Sequence, residues 1–373
     1  MKPEPVQKLD IEFAGCRREY LEMADPVGAC MAAVLAGGNV LQGPQIPAFE
    51  AELALMCERR YAVCVGSGTD ALYFALVALG IGPGDEVLAP DLSFIATASA
   101  ILRTGARPVF VDVDASCNLD LDQAAASVTG KTRAIIYVQL FGGMGDPEAL
   151  ETFGKAHGIA VIEDGAQSFG ARFEGRPCGA VGEASVLSFD PMKVLSAPGS
   201  GGAVLTDDFE TARRVRRLRY HGREENQYLE LGFNSQMPST TAAVLSLKLA
   251  RHQQWTERRA AVASRFLSTF AGLPMDFPTW PTCVDHVWHK FVLRCDERDA
   301  LGAWLSARGV PTLVHYPRPF HWEPLFGVQD DERFPVAIAH SARTLSLPIH
   351  AHLTSDEVDH IVTSVAAFFD RPA

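Results

Sequence analysis

The chain has 373 residues, of which 47% are hydrophobic and 21% charged, with a mean hydropathy of +0.05. That is the balance of a globular protein long enough for two domains, and it excludes a disordered chain. A formal charge of -12 disfavours general binding to nucleic acid or anionic membrane, while leaving room for an anionic small molecule in a local pocket.

The opening "MKPEPVQKLDIEF" lacks the apolar region of a signal peptide, and no apolar run reaches membrane-spanning length. The cysteines (Cys16, Cys30, Cys57, Cys64, Cys117, Cys178, Cys283 and Cys295) form no CxxC pair, and several read as small buried hydrophobes. A reducing, cytoplasmic setting and no metal site are expected.

In chain order, the segment to about Val40 is helical in pattern and runs into the Gly-rich "LAGGNVLQGP". From Tyr61 short apolar runs alternate with helical stretches: "YAVCV", "DEVLAP", "PVFVDV", "RAIIYVQLF", "AVIED", "ASVLSF" and "GAVLTD". Val/Ile-rich runs buried on both faces, with helices between them, predict an α/β layer fold around a mostly parallel seven-stranded sheet. Past Thr206 helical patterns dominate to about Phe270. A smaller α+β unit follows. Its predicted elements are a strand in "HVWHKFVLRC", a helix over "RDALGAWLSARG", a strand "PTLVHY" and a closing helix from Ser355. Residues 1–250 are expected to form the large domain and 251–373 the small C-terminal one.

Open α/β sheets bind ligands beyond the carboxyl ends of their strands, so the residues after each apolar run carry the interest. After "YAVCV" comes Gly66-Ser67-Gly68-Thr69-Asp70. Small residues at a helix start suit a phosphate, and they serve equally as an N-cap and tight turn. Neither the spacing of a Walker A loop nor a nicotinamide-binding glycine fingerprint is present. After "AVI" stand Glu163 and Asp164. A strand-end acid in an apolar sheet is costly unless paired, either with backbone N–H groups or with a protonated ring nitrogen. After "ASVL" come Ser188 and the lone Lys193, with no acid within two residues of it. Such a lysine is either a solvated loop charge or a desolvated nucleophilic amine able to form a Schiff base. Phe94 follows the second strand and is either core or the wall of a flat heterocycle. In this order the residues match what pyridoxal phosphate requires: a lysine for its aldehyde, an acid for its ring nitrogen, donors for its phosphate and a stacking wall.

Those motifs, with "VIEDGAQSFGA", "SFDPMK", "GFNS", "HYPRPFH" and "SLPIH", resemble the DegT/DnrJ/StrS sugar aminotransferases over nearly the whole chain. These are fold-type I, aspartate aminotransferase-like enzymes that use pyridoxal 5'-phosphate. The resemblance implies that Lys193 forms the Schiff base and Asp164 pairs with the ring nitrogen. It places Gln167 by the ring's phenolic oxygen and Phe94 over the ring, with Ser67, Gly68, Thr69 and Ser188 on the phosphate. It implies that Asn234 reaches the phosphate of a partner subunit, hence a homodimer with shared sites. It also implies that His315 and Tyr316 lie at the substrate end. The expected reaction moves an amino group, from glutamate, onto a keto-sugar that is most often nucleotide-linked.

The chain departs from the usual pattern at Asp190, Val194, Ser200 and Gln236, close to where substrate and amino donor should bind. Two other readings stay open. One is a cofactor-dependent sugar dehydratase, against which the retained Lys193 argues. The other is a cofactor-binding regulator without turnover.

Overall fold

A computed structural model describes residues 10–327 and 331–371. Three helices open the chain: α1 (Cys16–Glu22), α2 (Ala24–Ala36) and α3 (Gln45–Met56). Strands and helices then alternate as β1 (Tyr61–Val65), α4 (Gly68–Ala78), β2 (Glu86–Pro90), α5 (Ala96–Thr104), β3 (Arg107–Val111) and α6 (Leu121–Ser127). They continue as β4 (Thr132–Val138), α7 (Pro147–His157), β5 (Ala160–Asp164), β6 (Ala184–Ser188), β7 (Gly202–Thr206) and α8 (Phe209–Leu218). Helices α9 (Ser239–Leu249) and α10 (His252–Phe270) lead to β8 (Phe291–Arg294), α11 (Arg298–Ala307), α12 (Pro335–Arg343), β9 (Thr344–Leu347) and α13 (Ser355–Phe369).

All seven apolar runs become strands of one sheet, in the order β1-β7-β6-β5-β4-β2-β3. Neighbours pair in parallel except β7, which runs antiparallel to both β1 and β6. Successive side chains of a strand point to opposite faces, and here both faces are covered. Val63, Val65, Ala89, Ile136, Ile162 and Val186 pack into a core with α4, α5 and α8. Their neighbours Ala62, Cys64 and Leu187 pack with α3 and α9, while Leu88, Ile135 and Val161 pack with α6 and α7. Two-sided burial is why the strands read as continuous apolar runs.

A further core gathers Phe266 and Phe270 of α10, Phe291 and Leu293, Leu301 and Leu305, Leu345 and Leu347, and Ile361 and Val365 of α13. Ile11 from the start of the chain is buried in it as well. Arg18 of α1 pairs with Glu357 of α13 at 2.6 Å, so the N-terminal segment is fastened to this C-terminal core. Thr354 and Glu357 form a reciprocal capping box that starts α13.

One predicted strand is corrected. "PTLVHY" forms only a bridge, in which Leu313 exchanges backbone bonds with Ser346 (3.2 and 2.7 Å). Pro311 has no N–H to extend the ladder. Beyond Leu313 the chain turns so that the His315 ring, rather than its backbone, meets Ser346. All eight cysteines are unpaired, and among the described residues no helix is long and apolar enough to cross a membrane.

Candidate active site

The ends of β1, β2, β4, β5 and β6 lie on one edge of the sheet, and the start of β7 joins them there. The register sets Gly202 opposite both Val65 and Ser188. The loop after β1 and the end of β6 are thereby brought side by side.

At the β1–α4 turn Ser67 is the N-cap, its Oγ accepting from Asp70 N at 3.1 Å. Among the described residues nothing accepts from the N–H groups of Gly68 and Thr69. They sit at the positive end of a helix of 11 residues. A Cβ on Gly68 would lie 2.7 Å from Ser188 Cβ, so the turn and Ser188 touch and only glycine fits between them. The turn is braced from behind: Gly66 N donates to Ser235 O (3.0 Å), and Ser235 Oγ donates to Asp70 Oδ2 (2.7 Å).

The strand-end acids divide two roles. Glu163 is fully enclosed; its oxygens accept from Gln139 Nε2, Gly179 N, Val181 N and Ser185 Oγ at 2.9–3.3 Å. Glu163 is thus the carboxylate bound to backbone and neighbouring side chains. Asp164 is 4% exposed yet, among the described residues, accepts only from Ala166 N, at 3.0 Å through Oδ1. Burial pushes its carboxyl up to about 6, against a pull from Ala166 N–H and from Lys193. A buried carboxylate with one free oxygen invites a cationic partner.

Lys193 is presented by a tight turn. Lys193 N donates to Asp190 O at 2.8 Å with Pro191 at the second position, and Asp190 Oδ1 accepts from Met192 N at 3.0 Å. The departure at Asp190 therefore has a local use, as the side chain that closes this turn. The Lys193 side chain keeps partial solvent access and meets no acceptor among the described residues. Burial lowers its pKa, and the charges of Asp164 and Asp190 oppose that shift. The following Ser196 is held by Glu19 and Lys248, Oγ to Oε1 at 2.6 Å and Nζ to O at 2.7 Å. The departure at Val194 is buried core, and that at Ser200 is exposed.

Gln167 is buried just past β5. Its Oε1 accepts from Phe141 N (3.0 Å) and its Nε2 donates to Tyr316 Oη (2.9 Å). His315, next in line, bonds Ser346 Oγ through Nδ1 (2.8 Å), and its carbonyl accepts from His340 Nε2 (3.2 Å). Burial, then Lys290 and Lys193, press His315 down to about 3, so its ring is neutral. Asp91 accepts from His321 N and Nδ1 (2.9 and 2.5 Å), tying "PRPFH" beside the end of β2. Phe94, four residues past the end of β2, is 56% exposed.

The structure thus gathers Ser67, Gly68, Thr69 and Ser188 at one point, Asp164 and Lys193 at a second, and Gln167 with Tyr316 at a third. Asn234 is not among them. It is exposed, its Oδ1 accepts from Gln236 Nε2 (3.2 Å), and Gln236 is tied to Gln42 (2.6 Å). One residue escaped the sequence reading. Lys290 is a second lysine in an apolar stretch, whose pKa is lowered first by burial and then by the charges of Lys193 and Arg259. The signal that singled out Lys193, a cation among apolar residues, is present in weaker form in "HVWHKFVLRC", where Arg294 and two histidines share the stretch with Lys290.

These residues fit pyridoxal phosphate on their own chemistry. Free N–H groups and a serine suit an anion, an under-bonded buried acid suits a cationic ring nitrogen, and a desolvated amine suits an aldehyde. Fold and site together define a fold-type I pyridoxal-phosphate enzyme. The chain belongs to the DegT/DnrJ/EryC1/StrS aminotransferase family, whose model matches residues 26–366. It is 40% identical to the dTDP-3-amino-3,4,6-trideoxy-alpha-D-glucose transaminase of Streptomyces venezuelae, over 97% of each chain. It is equally 40% identical to the erythromycin biosynthesis sensory transduction protein EryC1 of Saccharopolyspora erythraea, over 96% of this chain and 100% of that one. The structure of S. venezuelae DesV in complex with ketimine intermediate superposes with a TM-score of 0.95 at 39% identity, covering 98% of this chain and 100% of that one.

Proposed function

We propose that the protein transfers an amino group from an amino acid, glutamate being the expected donor, onto the keto carbon of a nucleotide-linked deoxysugar. It is proposed to work as a cytoplasmic homodimer with shared sites. The observation that carries the reading is the pair Asp164 and Lys193 at the sheet edge, beside the free N–H groups of Gly68 and Thr69. The transaminase names of close relatives support the substrate class.

Bound pyridoxal phosphate supplies an aldehyde that condenses with amines and a ring that takes up the electron pair left when a substrate carbon loses its proton. The chain's residues do the rest. Gly68 and Thr69 N–H and the hydroxyls of Ser67 and Ser188 hold the phosphate, and the helix dipole favours its charge. Asp164 Oδ2 would accept from the ring nitrogen and keep it protonated, and Phe94 would wall the ring. Gln167, oriented by Tyr316 and by Phe141 N, stands at the ring's phenolic oxygen. Lys193 would hold the cofactor's aldehyde, and its amine, which burial keeps below the usual lysine pKa, would be the group to take and return the proton at the substrate carbon. His315 and Tyr316 meet the sugar. Asn234, exposed and bonded only through Oδ1 to Gln236 among the described side-chain contacts, would reach the partner's phosphate site.

Borohydride reduction and peptide mapping test the core of this reading; the expected adduct is on Lys193, and an adduct elsewhere overturns it. A screen of keto-sugar nucleotides against the amino-loaded enzyme, read by mass spectrometry, identifies the acceptor. The names "sensory transduction protein" and "pleiotropic regulatory protein" among relatives favour a second reading, a cofactor-binding regulator without turnover. Under that reading no amino acid bleaches the cofactor's absorbance.

A further inference from the structure

The geometry points to a carboxylate-binding subsite beside Lys193, formed by Lys290 with Arg259 and His289, that seats the carboxylate of the amino donor. This rests on the aminotransferase reading above and names how one of its two substrates is recognised. No sequence feature discussed above requires it.

Lys290 is 7% exposed, and its ammonium lies 5.1 Å from the centroid of Phe13. Among the described residues it makes no ion pair and no side-chain hydrogen bond. It lines a small cavity of about 10 Å³ with Phe13, Ala14, Met192, Arg259 and His289. Lys193 does not line the cavity, but its charge acts on both Lys290 and His289, so the reacting amine lies near their side chains. Arg259, 6% exposed, spends Nη1 on Ile349 O (2.9 Å), while its Nε has no acceptor. His289 is buried with Nδ1 also unbonded. Three basic side chains thus converge on one space with no carboxylate among its lining residues.

Buried charges without partners are strongly disfavoured. The groups facing Lys290 are Lys193, Arg259, Asp190 and Cys16, with His289 and His315 adjacent. Burial first, then Lys193 and Arg259, bring Lys290 down to about 7. An anion would reverse this, since a nearby negative charge favours the ammonium form. The cavity is about the size of one water-sized sphere. It admits a single carboxylate oxygen and is too small for a diphosphate. The amino donor is the substrate that must bring a carboxylate to within a few bonds of the atom reacting at Lys193.

The test uses the cofactor-loaded enzyme and Lys290→Met, a length-matched apolar side chain that leaves no buried charge. In the first half-reaction, followed by absorbance with L-glutamate and with L-alanine, the expected KM rise is about ten- to hundredfold, the range for a lost charged hydrogen bond. Calorimetry with succinate in two buffers of different ionisation enthalpy should show tight binding and proton uptake near pH 8 in the wild type only. Pyrophosphate should bind both proteins alike. Unchanged succinate affinity and donor KM in the variant overturn the subsite, as does a variant that loses pyrophosphate instead. If neither amino acid reacts with the wild type, the aminotransferase reading fails, while succinate binding still decides the subsite.

Discussion

Replacing Asp164 by Asn should make the cofactor-free protein more stable and the loaded enzyme less active. In the folded chain the Asp164 carboxyl titrates at about 6, against 3.8 when unperturbed, chiefly because it is buried. Between those values the folded state binds more protons than the unfolded one, so stability falls as pH rises through this window. A rise of about two units at about 1.36 kcal/mol each makes the full loss about 3 kcal/mol above pH 6. Asn keeps an oxygen for Ala166 N–H and carries no charge. Urea unfolding of cofactor-free protein at pH 4 to pH 7 should therefore show the stability difference between Asp164→Asn and wild type growing to about 3 kcal/mol at pH 7, because other groups that titrate in this window, such as Asp91 and His315, are common to both proteins and cancel in the difference. With cofactor bound the balance inverts, because the ring nitrogen becomes the missing partner. Turnover should drop about a hundred- to thousandfold, the range for removing one group aimed at developing charge. A variant that is no more stable at pH 7, or that turns over normally, would refute the assignment of Asp164 as a stored charge awaiting the ring.

Three further outcomes are expected. Gly68→Ala drives a Cβ to 2.7 Å from Ser188 Cβ, so the phosphate turn must shift. We expect a stability cost of about 1–3 kcal/mol and weaker cofactor retention, both read by titrating cofactor fluorescence. Tyr316→Phe strands the buried Gln167 Nε2, at about 1–3 kcal/mol in denaturant unfolding, with kcat falling more than cofactor affinity. Mixing Lys193→Ala chains with Asn234→Ala chains should restore roughly a quarter of wild-type activity, since one site per mixed dimer then has both residues. No recovery after verified subunit exchange would mean that Asn234 does not serve a partner's site.

The sheet was legible because burial on both faces leaves a strand nothing but apolar side chains, and each of the seven runs became one. The reversed direction of β7 was not, since "GAVLTD" looks the same whichever way it runs. The positions of Ser67, Ser188 and Lys193 at strand ends could be read from the turn residues that follow each run. What separates Asp164 from its neighbour Glu163 could not. The donors that occupy Glu163 come from Gln139, Gly179, Val181 and Ser185, and only folding reveals that they face one acid and leave the other. "PTLVHY" misled through its apolar content alone, because Pro311 interrupts the ladder and the segment's polar groups are turned toward Ser346 and His340.

Lys290 shows why a charge count over the whole chain says little about a site. The protein is acidic overall, with a formal charge of -12, yet Lys290 is buried where the charges of Lys193 and Arg259 act on it, while Asp164 and Asp190 act on Lys193. Such a centre is costly to the empty fold in two opposite ways, as a buried acid on one side and an excess of buried base on the other. Both costs fall when the right molecules bind, one against the ring nitrogen and one against an anion. Ligands that bind only the folded state stabilise it by mass action. Under the proposed roles, the cost of burying these groups without counter-charges would become selectivity for a cationic ring and an anionic donor at one amine.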